Sequence, residues 1–483
     1  MDGEDAGDLE TVHDALAHHH LSAAALSATA DTEALPEPSA GDAPLRISVF
    51  GTGYLGATHA VAMAELGFEV LGADTDAGKV EALAAGKVPF YEPGLDPLLE
   101  KHLATGRLRF TTDLAAAAAW GDVHFICVGT PQMRTSHAAN LSYVESAATT
   151  IARNLTRPAL IVGKSTVPVG TAARLRTLVA EEAPAGMPAE LVWNPEFLRE
   201  GKAVEDTLHP DRIVLGGPSA RAEATLRQVY AGPIAEGTPV VVTDLPTAEL
   251  VKVSANAFLA TKISFINAIS SVCEAAGADV TVLADALGHD VRIGRQFLDA
   301  GLGFGGGCLP KDIRALMHRA NELGAYRASA LLQQVDEINM GQRERVLDMT
   351  VQACGGSVLN RRIGVLGAAF KPHTDDVRDS PALNVAAALH LRGAQVTVYD
   401  PEAGDTARRS FPTLSYATSV DEAVEGTDVV LVLTEWDQFV QADAEHLAGL
   451  TATPRVIDAR GKLDPARWRG AGWEFAGLGR TAA

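Results

Sequence analysis

From Leu45 onward, short apolar runs alternate with stretches of helical period. RISVFGTGYLG reads as a buried strand entering a glycine turn, THAVAMAELG as a helix and FEVLGADTD as a second strand, which together make a βαβ unit. Further apolar strands at HFICVGTP, ALIVGKST, AELVWNPEF and DRIVLGG continue this rhythm to about Gly217. From Pro246 to about Gln342 the strand signals vanish. The run TAELVKVSANAFLATKISFINAISSVCEAAG has apolar residues at helical spacing without a proline, so it predicts a long connecting helix followed by shorter ones. After Gly356 the alternation restarts with RRIGVLGAAF, ALNVAAALHLRG, QVTVYDP, DVVLVLTEW and RVIDARG. The pattern predicts an α/β protein of two Rossmann-like doubly wound domains joined by a long central helix and helical segment. The divisions fall at residues 45–243, 244–342 and 343–483, with a ligand-binding cleft expected between the lobes.

Composition adds one segment to this picture. The 483 residues are 47% hydrophobic and 21% charged, which excludes disorder throughout. Against 40 Lys and Arg stand 61 Asp and Glu, a net charge of −21 that argues against nucleic acid and membrane as partners. Residues 1–44 hold ten of the carboxylates and no Lys or Arg, and read as a mostly disordered acidic tail. The apolar run Leu21–Ala30 follows acidic residues, whereas a secretion signal needs a basic start. His18–His20 read as part of a solvated tail. No window approaches ~18 uninterrupted apolar residues, so no membrane-spanning helix is expected. The four cysteines, Cys127, Cys273, Cys308 and Cys354, lie far apart without zinc spacing, which predicts reduced thiols, a cytoplasmic location and no metal.

Candidate chemistry begins at Gly51-Thr-Gly-Tyr-Leu-Gly56, a G-x-G-x-x-G directly after a strand and at a helix start. Gly51 allows the tight turn, Gly53 the close approach of a pyrophosphate, and Gly56 the packing of helix on strand. Phosphates there would face helix N–H groups, which is how an acidic protein can hold an anion. Asp74 follows at the end of the second strand, where a carboxylate accepts ribose hydroxyls and repels a 2′-phosphate, so NAD is the expected cofactor. The second lobe reads GVLGAAFK at 364–371 and lacks two of these glycines, so a second NAD site is not expected. Its Lys371, Thr374, Asp375, Asp376 and Arg378 read equally well as a site for another phosphate-bearing ligand or as a solvated loop.

Cys308 ends a glycine-rich, flexible stretch, GLGFGGGCLPKD (301–312), with Lys311 and Asp312 beside it. Its surroundings are not apolar, so it is the candidate nucleophile, while the other cysteines read as packing residues. Lys252 and Asn256 share a helix face; alone, that pair reads first as a surface hydrogen bond. Glu196 and Glu200 in NPEFLREG have the same spacing and the same ambiguity.

Taken together, GTGYLG (51–56), KSTVPVGT (164–171), NPEFLREG (194–201), HPDRIVLG (209–216), KISFINAI (262–269), RIGRQFLDAGLGFGGGCLPKD (292–312) and FKPHTDDVRDSP (370–381) resemble the UDP-glucose 6-dehydrogenase branch of the nucleotide-sugar dehydrogenases over about residues 45–474. The resemblance implies oxidation of a sugar C6 alcohol to a carboxylate with two NAD and no metal, through a cysteine thiohemiacetal and thioester. It assigns the nucleophile to Cys308, oxyanion stabilisation to Lys252 and Asn256, proton handling to Asp312, thioester hydrolysis to Glu196 with Glu200 assisting, and a place near the reacting centre to Thr130. Tyr54, Leu55, Lys79 and Lys311 fall with the cofactor. Phe197, Leu198, Arg199, Phe304 and Gly305 fall with the substrate, and Lys371 and Arg460 with its diphosphate or uridine. Arg292 matches an arginine that reaches a neighbouring subunit's site, implying a homodimer or larger homo-oligomer. The substrate expected is UDP-glucose; GDP-mannose and an inactive NAD-binding protein are the alternatives. One departure stands out: the usual Gly-Gly-Ser-Cys is Gly306-Gly307-Cys308 here, without the serine hydroxyl.

Overall fold

The computed structural model describes residues 45–133 and 136–480. The segment read as an acidic tail, with His18–His20 and Leu21–Ala30, lies outside the described residues.

The first sheet has eight strands, β1 (Arg46–Phe50), β2 (Glu69–Ala73), β3 (Leu108–Thr111), β4 (Val123–Ile126), β5 (Ala159–Gly163), β6 (Ala189–Trp193), β7 (Ile213–Gly216) and β8 (Val240–Thr243). They lie in the order β3-β2-β1-β4-β5-β6-β7-β8. Neighbours run parallel except β6 and β7, which meet antiparallel through the pair Trp193 and Gly216. Helices cover both faces, so every residue of β4 and β5 is buried, and the strands read as continuous apolar runs. Ile47, Val49 and Phe125 enter the core on one face, and Phe50, Ile126 and Ile161 the core on the other.

The second sheet holds β9 (Arg362–Leu366), β10 (Gln395–Tyr399), β11 (Ser415–Tyr416), β12 (Val429–Val432), β13 (Arg455–Asp458) and β14 (Glu474–Gly477), all parallel, in the order β11-β10-β9-β12-β13-β14. Both sheets reverse strand order beside their first strand, which opens a crevice at the carboxyl ends of β1 and β4 and of β9 and β12. The strands that the hydrophobic pattern missed, β3, β8, β11 and β14, are edges. They are half exposed or very short, so their apolar signal is weak.

The lobes are joined by the helix Leu245–Ala276, whose 32 residues span about 48 Å at 1.5 Å per residue. The Asp244 carboxylate caps its start by accepting from the Thr247 N–H, Pro246 occupies the first turn, and Gly277 closes it at φ 75°. Its first turns pack on β6 and β7 and the rest on the helices Leu309–Glu322 and Tyr326–Ala353. The last of these runs unbroken across position 342, where the pattern divides the middle segment from the second lobe. It ends only before Gly355 and Gly356, both at positive φ. Among the described residues no helix is long and apolar enough to cross a membrane.

Candidate active site

At the end of β1 each glycine meets a different constraint. Gly51 has φ 87° and donates its N–H to the Ala73 carbonyl at 2.8 Å, while a Cβ on Gly56 would sit 1.7 Å from the Gly51 oxygen. Gly53, at the N-cap of the helix Tyr54–Glu65, has no protein atom within 4 Å of where a Cβ would be. The turn is therefore closed where it must pack and open where a phosphate would approach. Asp74 accepts from the Thr52 N–H at 2.7 Å, the Asp76 N–H at 3.0 Å and Lys79 Nζ at 3.0 Å. Burial alone would raise its carboxyl; the Asp76 and Thr52 N–H groups with the Lys79 ammonium outweigh it and hold the group below the usual carboxylate range. Leu55 lines a cavity beside this turn together with Glu196 and Phe197. The Tyr54 hydroxyl donates to Glu92, so it braces the loop at Gly201 and is not free for a ligand.

The second cluster forms around Cys308. Lys252 and Asn256 are buried, which overturns the surface reading of that pair. Lys252 Nζ lies 2.9 Å from Glu196 Oε1, and Asn256 Nδ2 donates to Asp312 Oδ2 at 2.7 Å, with Lys311 Nζ on the other carboxylate oxygen at 2.6 Å. Burial disfavours the Lys252 ammonium, yet Glu196, Cys308 and Asp312 hold it above the ordinary lysine range. Cys308 is the N-cap of the helix Leu309–Glu322, and its Sγ caps nothing. It is exposed, while Cys127, Cys273 and Cys354 are buried. Enclosure by the protein, and then Asp312 and Glu196, push the Cys308 thiol up to about 12 against the opposing pull of Lys252 and Lys311. Thr130 Oγ1 donates to the Thr166 carbonyl at 2.8 Å, and both threonines line a cavity with Lys311 and Asp312.

Two local expectations change. NPEFLREG is a loop, entered through Pro195 and left at Gly201 with φ 79°, so Glu196 and Glu200 do not share a helix face. Glu196 stays beside Lys252, while Glu200 turns to the second lobe. The glycine stretch before Cys308 is packed, not flexible. Cβ atoms would fall 2.4 Å from Asn339 Oδ1 at Gly303, 2.4 Å from the Asp379 oxygen at Gly305 and 2.3 Å from the Arg378 guanidinium at Gly307. Asn339, which the sequence reading missed, clamps Phe304 by accepting its N–H at 2.7 Å and donating to its carbonyl at 3.0 Å. The Phe304 ring is buried among Ala257, Ala260 and Ile313.

Three comparisons with known proteins bear on this cleft. Residues 45–233, 246–341 and 364–465 match the models of the UDP-glucose/GDP-mannose dehydrogenase family for its NAD binding domain, central domain and UDP binding domain. The chain is 42% identical over 438 residues to the UDP-glucose 6-dehydrogenase of Rhizobium meliloti (strain 1021), covering 90% of this chain and 100% of that protein. The UDP-glucose 6-dehydrogenase TuaD of Bacillus subtilis (strain 168) is also 42% identical, covering 90% and 94%. The solved UDP-glucose dehydrogenase of Pyrobaculum islandicum superposes with a TM-score of 0.84 at 38% identity, covering 92% of this chain and 100% of that one. The chain belongs to the UDP-glucose/GDP-mannose dehydrogenase family.

As a member of that family it is an NAD-dependent oxidoreductase, and its second lobe is the family's UDP binding domain. The loop 370–380 of that lobe docks on the first, so of the solvated-loop reading only the internal ion pair of the exposed Arg378 with Asp376, at 2.7 Å, stands. Lys371 Nζ donates to the Glu200 carbonyl at 2.6 Å, Arg378 Nη2 reaches Glu200 Oε1 at 3.1 Å, and Asp375 accepts the Tyr91 N–H at 3.1 Å. Burial, and then Asp376, raise the Glu200 carboxyl to about 7 against Arg378, Lys371 and Thr374. Other residues that the resemblance assigns to substrate are engaged elsewhere. Arg460 donates to the carbonyls of Leu433, Gly303 and Phe370, tying the glycine loop to the second lobe. Arg199 pairs with Asp206 at 2.6 Å, and Arg292 is exposed and pairs with Asp290 at 2.6 Å. Leu198 donates its N–H to Glu196, and Arg212 stacks on the Phe197 ring 3.7 Å from its centroid.

Proposed function

We propose that the enzyme oxidises UDP-glucose to UDP-glucuronate in two NAD-dependent steps through covalent adducts of Cys308. The observation that carries this reading is the meeting of Cys308 with the Lys252–Glu196 pair and the Asn256–Asp312 bond in one cleft. The open N–H turn at Gly53 and the Asp74 carboxylate fit a dinucleotide, with Leu55 and Lys79 beside it. When bound, NAD accepts a hydride from the substrate carbon in each oxidation.

The residues supply what remains. Lys252 and Asn256 donate to the substrate oxygen as it loses its proton, which passes to Asp312 through water. Sγ bonds to the aldehyde carbon as the Cys308 proton passes to the aldehyde oxygen, giving a neutral thiohemiacetal. Loss of the remaining hydride and the hydroxyl proton leaves a thioester. Water then adds to the acyl carbon with Glu196 as base, the C–S bond breaks, the thiol is restored and the product ionises. Lys371 lies where a diphosphate between the lobes would meet a cation.

A homodimer or larger assembly fits the central helix, where Phe258, Phe265 and Val272 recur every seven residues and are 66%, 49% and 60% exposed. Arg292, remote from its own chain's bonds to the cleft, is then available to a neighbour. Free thiols support a cytoplasmic location.

The test is to supply purified enzyme with NAD and either UDP-glucose or GDP-mannose and to count NADH per sugar. Two NADH per UDP-glucose is expected, and turnover of GDP-mannose alone overturns the substrate. No turnover of either would return the chain to a binding role. Cys308→Ser should lose acid formation, and full-rate acid formation by that variant would refute the covalent route.

A further inference from the structure

Lys164 follows β5 and is buried, with 7% of its surface exposed. Among the described residues no carboxylate forms an ion pair with it. Its Nζ donates to Asn194 Oδ1 at 3.0 Å and to the Tyr230 hydroxyl at 3.3 Å, and that hydroxyl donates to the same Asn194 oxygen at 2.6 Å. Asn194 Nδ2 donates to the Val214 carbonyl at 2.9 Å, and the Asn194 N–H to the Gly163 carbonyl at 2.8 Å. Every rotatable part of Asn194 is therefore fixed, and Pro195 follows with its own fixed φ. The next residue is Glu196. The same cavity is lined by Lys164, Asn194, Tyr230 and Glu196, so the lysine stands behind the loop that presents that carboxylate.

A buried ammonium without a partner carboxylate is costly, and a methionine of similar length would fill the space without that penalty. Burial lowers the Lys164 ammonium to about 8, Cys127 and Glu196 favour its charge, and Lys252 opposes it. The charge Lys164 faces from the cleft is thus that of Glu196, already paired with Lys252.

We infer that Lys164 is a positioning residue for Glu196, fixing through Asn194 the loop that presents this carboxylate for thioester hydrolysis. This rests on the covalent reading above. In the step concerned, water oxygen bonds to the acyl carbon and the C–S bond breaks. One water proton passes by way of Glu196 to the departing Cys308 thiolate, and the other leaves as the new acid ionises. No further oxidant is needed. A lysine that only filled space would affect folding and both half-reactions together; one that serves Glu196 affects the second.

The experiment mixes full-length enzyme with UDP-glucose and NAD, follows the NADH burst and the steady state, and weighs the quenched protein for an acyl adduct on Cys308. Lys164→Met should keep the burst, lose roughly 10- to 100-fold in steady-state turnover and accumulate the adduct; Lys164→Arg should recover part of the rate. Burst and steady state falling equally, or turnover within twofold of the parent without adduct, overturns the proposal. Should Lys164→Met not fold, Tyr230→Phe decides: adduct above the parent's level supports the role and a parental level sinks it. An unsubstituted enzyme that never forms a Cys308 adduct defeats the covalent reading itself, a result distinct from either variant outcome.

Discussion

The two lobes use one strand order, and each follows its first strand with a glycine. Gly51 and Gly367 have φ of 87° and 112°, and each donates its N–H at 2.8 Å to the last residue of the adjacent second strand. Each lobe also places a carboxylate just beyond that strand, Asp74 in one and Asp400 in the other. The difference lies in the next two residues. In the first lobe Gly53 opens a helix at once, leaving N–H groups and a helix dipole facing the crevice. In the second, Ala369 is fully buried, and Asp400 accepts the N–H groups of Ala368 and Ala369 at 2.7 and 3.0 Å with the Trp436 indole at 3.1 Å. Both of these N–H groups are thus taken by Asp400. The helix waits until Pro381, and the intervening loop crosses to the other lobe with Lys371 and Arg378. The same fold thus leaves an open helix N-terminus or makes a bridge, according to whether the chain enters its helix directly.

The largest test of this contrast is Gly53→Val. Its side chain has room in the protein alone but fills the approach to the helix N-terminus, so the NAD dissociation constant should rise roughly 100-fold or more with the thermal melt unchanged. Unchanged NAD affinity in a titration would show that the cradle lies elsewhere. Next, Lys371→Met should raise KM for the nucleotide sugar roughly 10- to 100-fold while leaving NAD affinity intact, because it removes one charge-assisted contact. Equal loss for both ligands would make Lys371 a structural bridge only.

Glu200→Gln tests the bridge through pH. The folded carboxyl ionises near 7 and the unfolded one near 4.5, so between these values the folded enzyme binds more protons and its stability falls as pH rises. Relative to the glutamine variant, the parent should lose roughly 1–3 kcal/mol from pH 5 to pH 8, read from denaturant unfolding at each pH. Parallel pH curves would count against this ionisation. The smallest effects are expected from Ala369→Gly, which should leave NAD binding at one per chain, and from deleting residues 2–44, which should leave turnover within twofold of the parent. A second NAD equivalent, or a large loss, would contradict them in turn.

The glycine turn was legible because its pattern is local: three glycines, a strand, a helix and Asp74 lie within one βαβ unit, with Gly51 turning at φ 87° and Gly56 packed on the Gly51 oxygen. The central helix was legible for the same reason, through its period and its Asp244, Pro246 and Gly277 boundaries. Edge strands such as β8 and β11 were not, since half-exposed strands carry no strong apolar pattern. Lys252 and Asn256 looked like surface residues because spacing on a helix tells nothing of what packs against that face; only the resemblance pointed them inward. Asn339 and Lys164 went unassigned because their partners, Phe304 and Asn194, lie 35 and 30 residues away along the chain.

By itself, then, the sequence determined the two α/β lobes, the connecting helix, the glycine turn after β1 and the family. Only the tertiary structure decided that NPEFLREG is a loop that sends Glu196 to Lys252 and Glu200 to Arg378, that the glycine stretch is clamped under the second lobe, and that Arg460 is tied to backbone carbonyls. Local rules govern what a segment becomes. Which charge faces which is set by packing between segments far apart in the chain, as for Lys252 with Glu196 and Arg378 with Glu200.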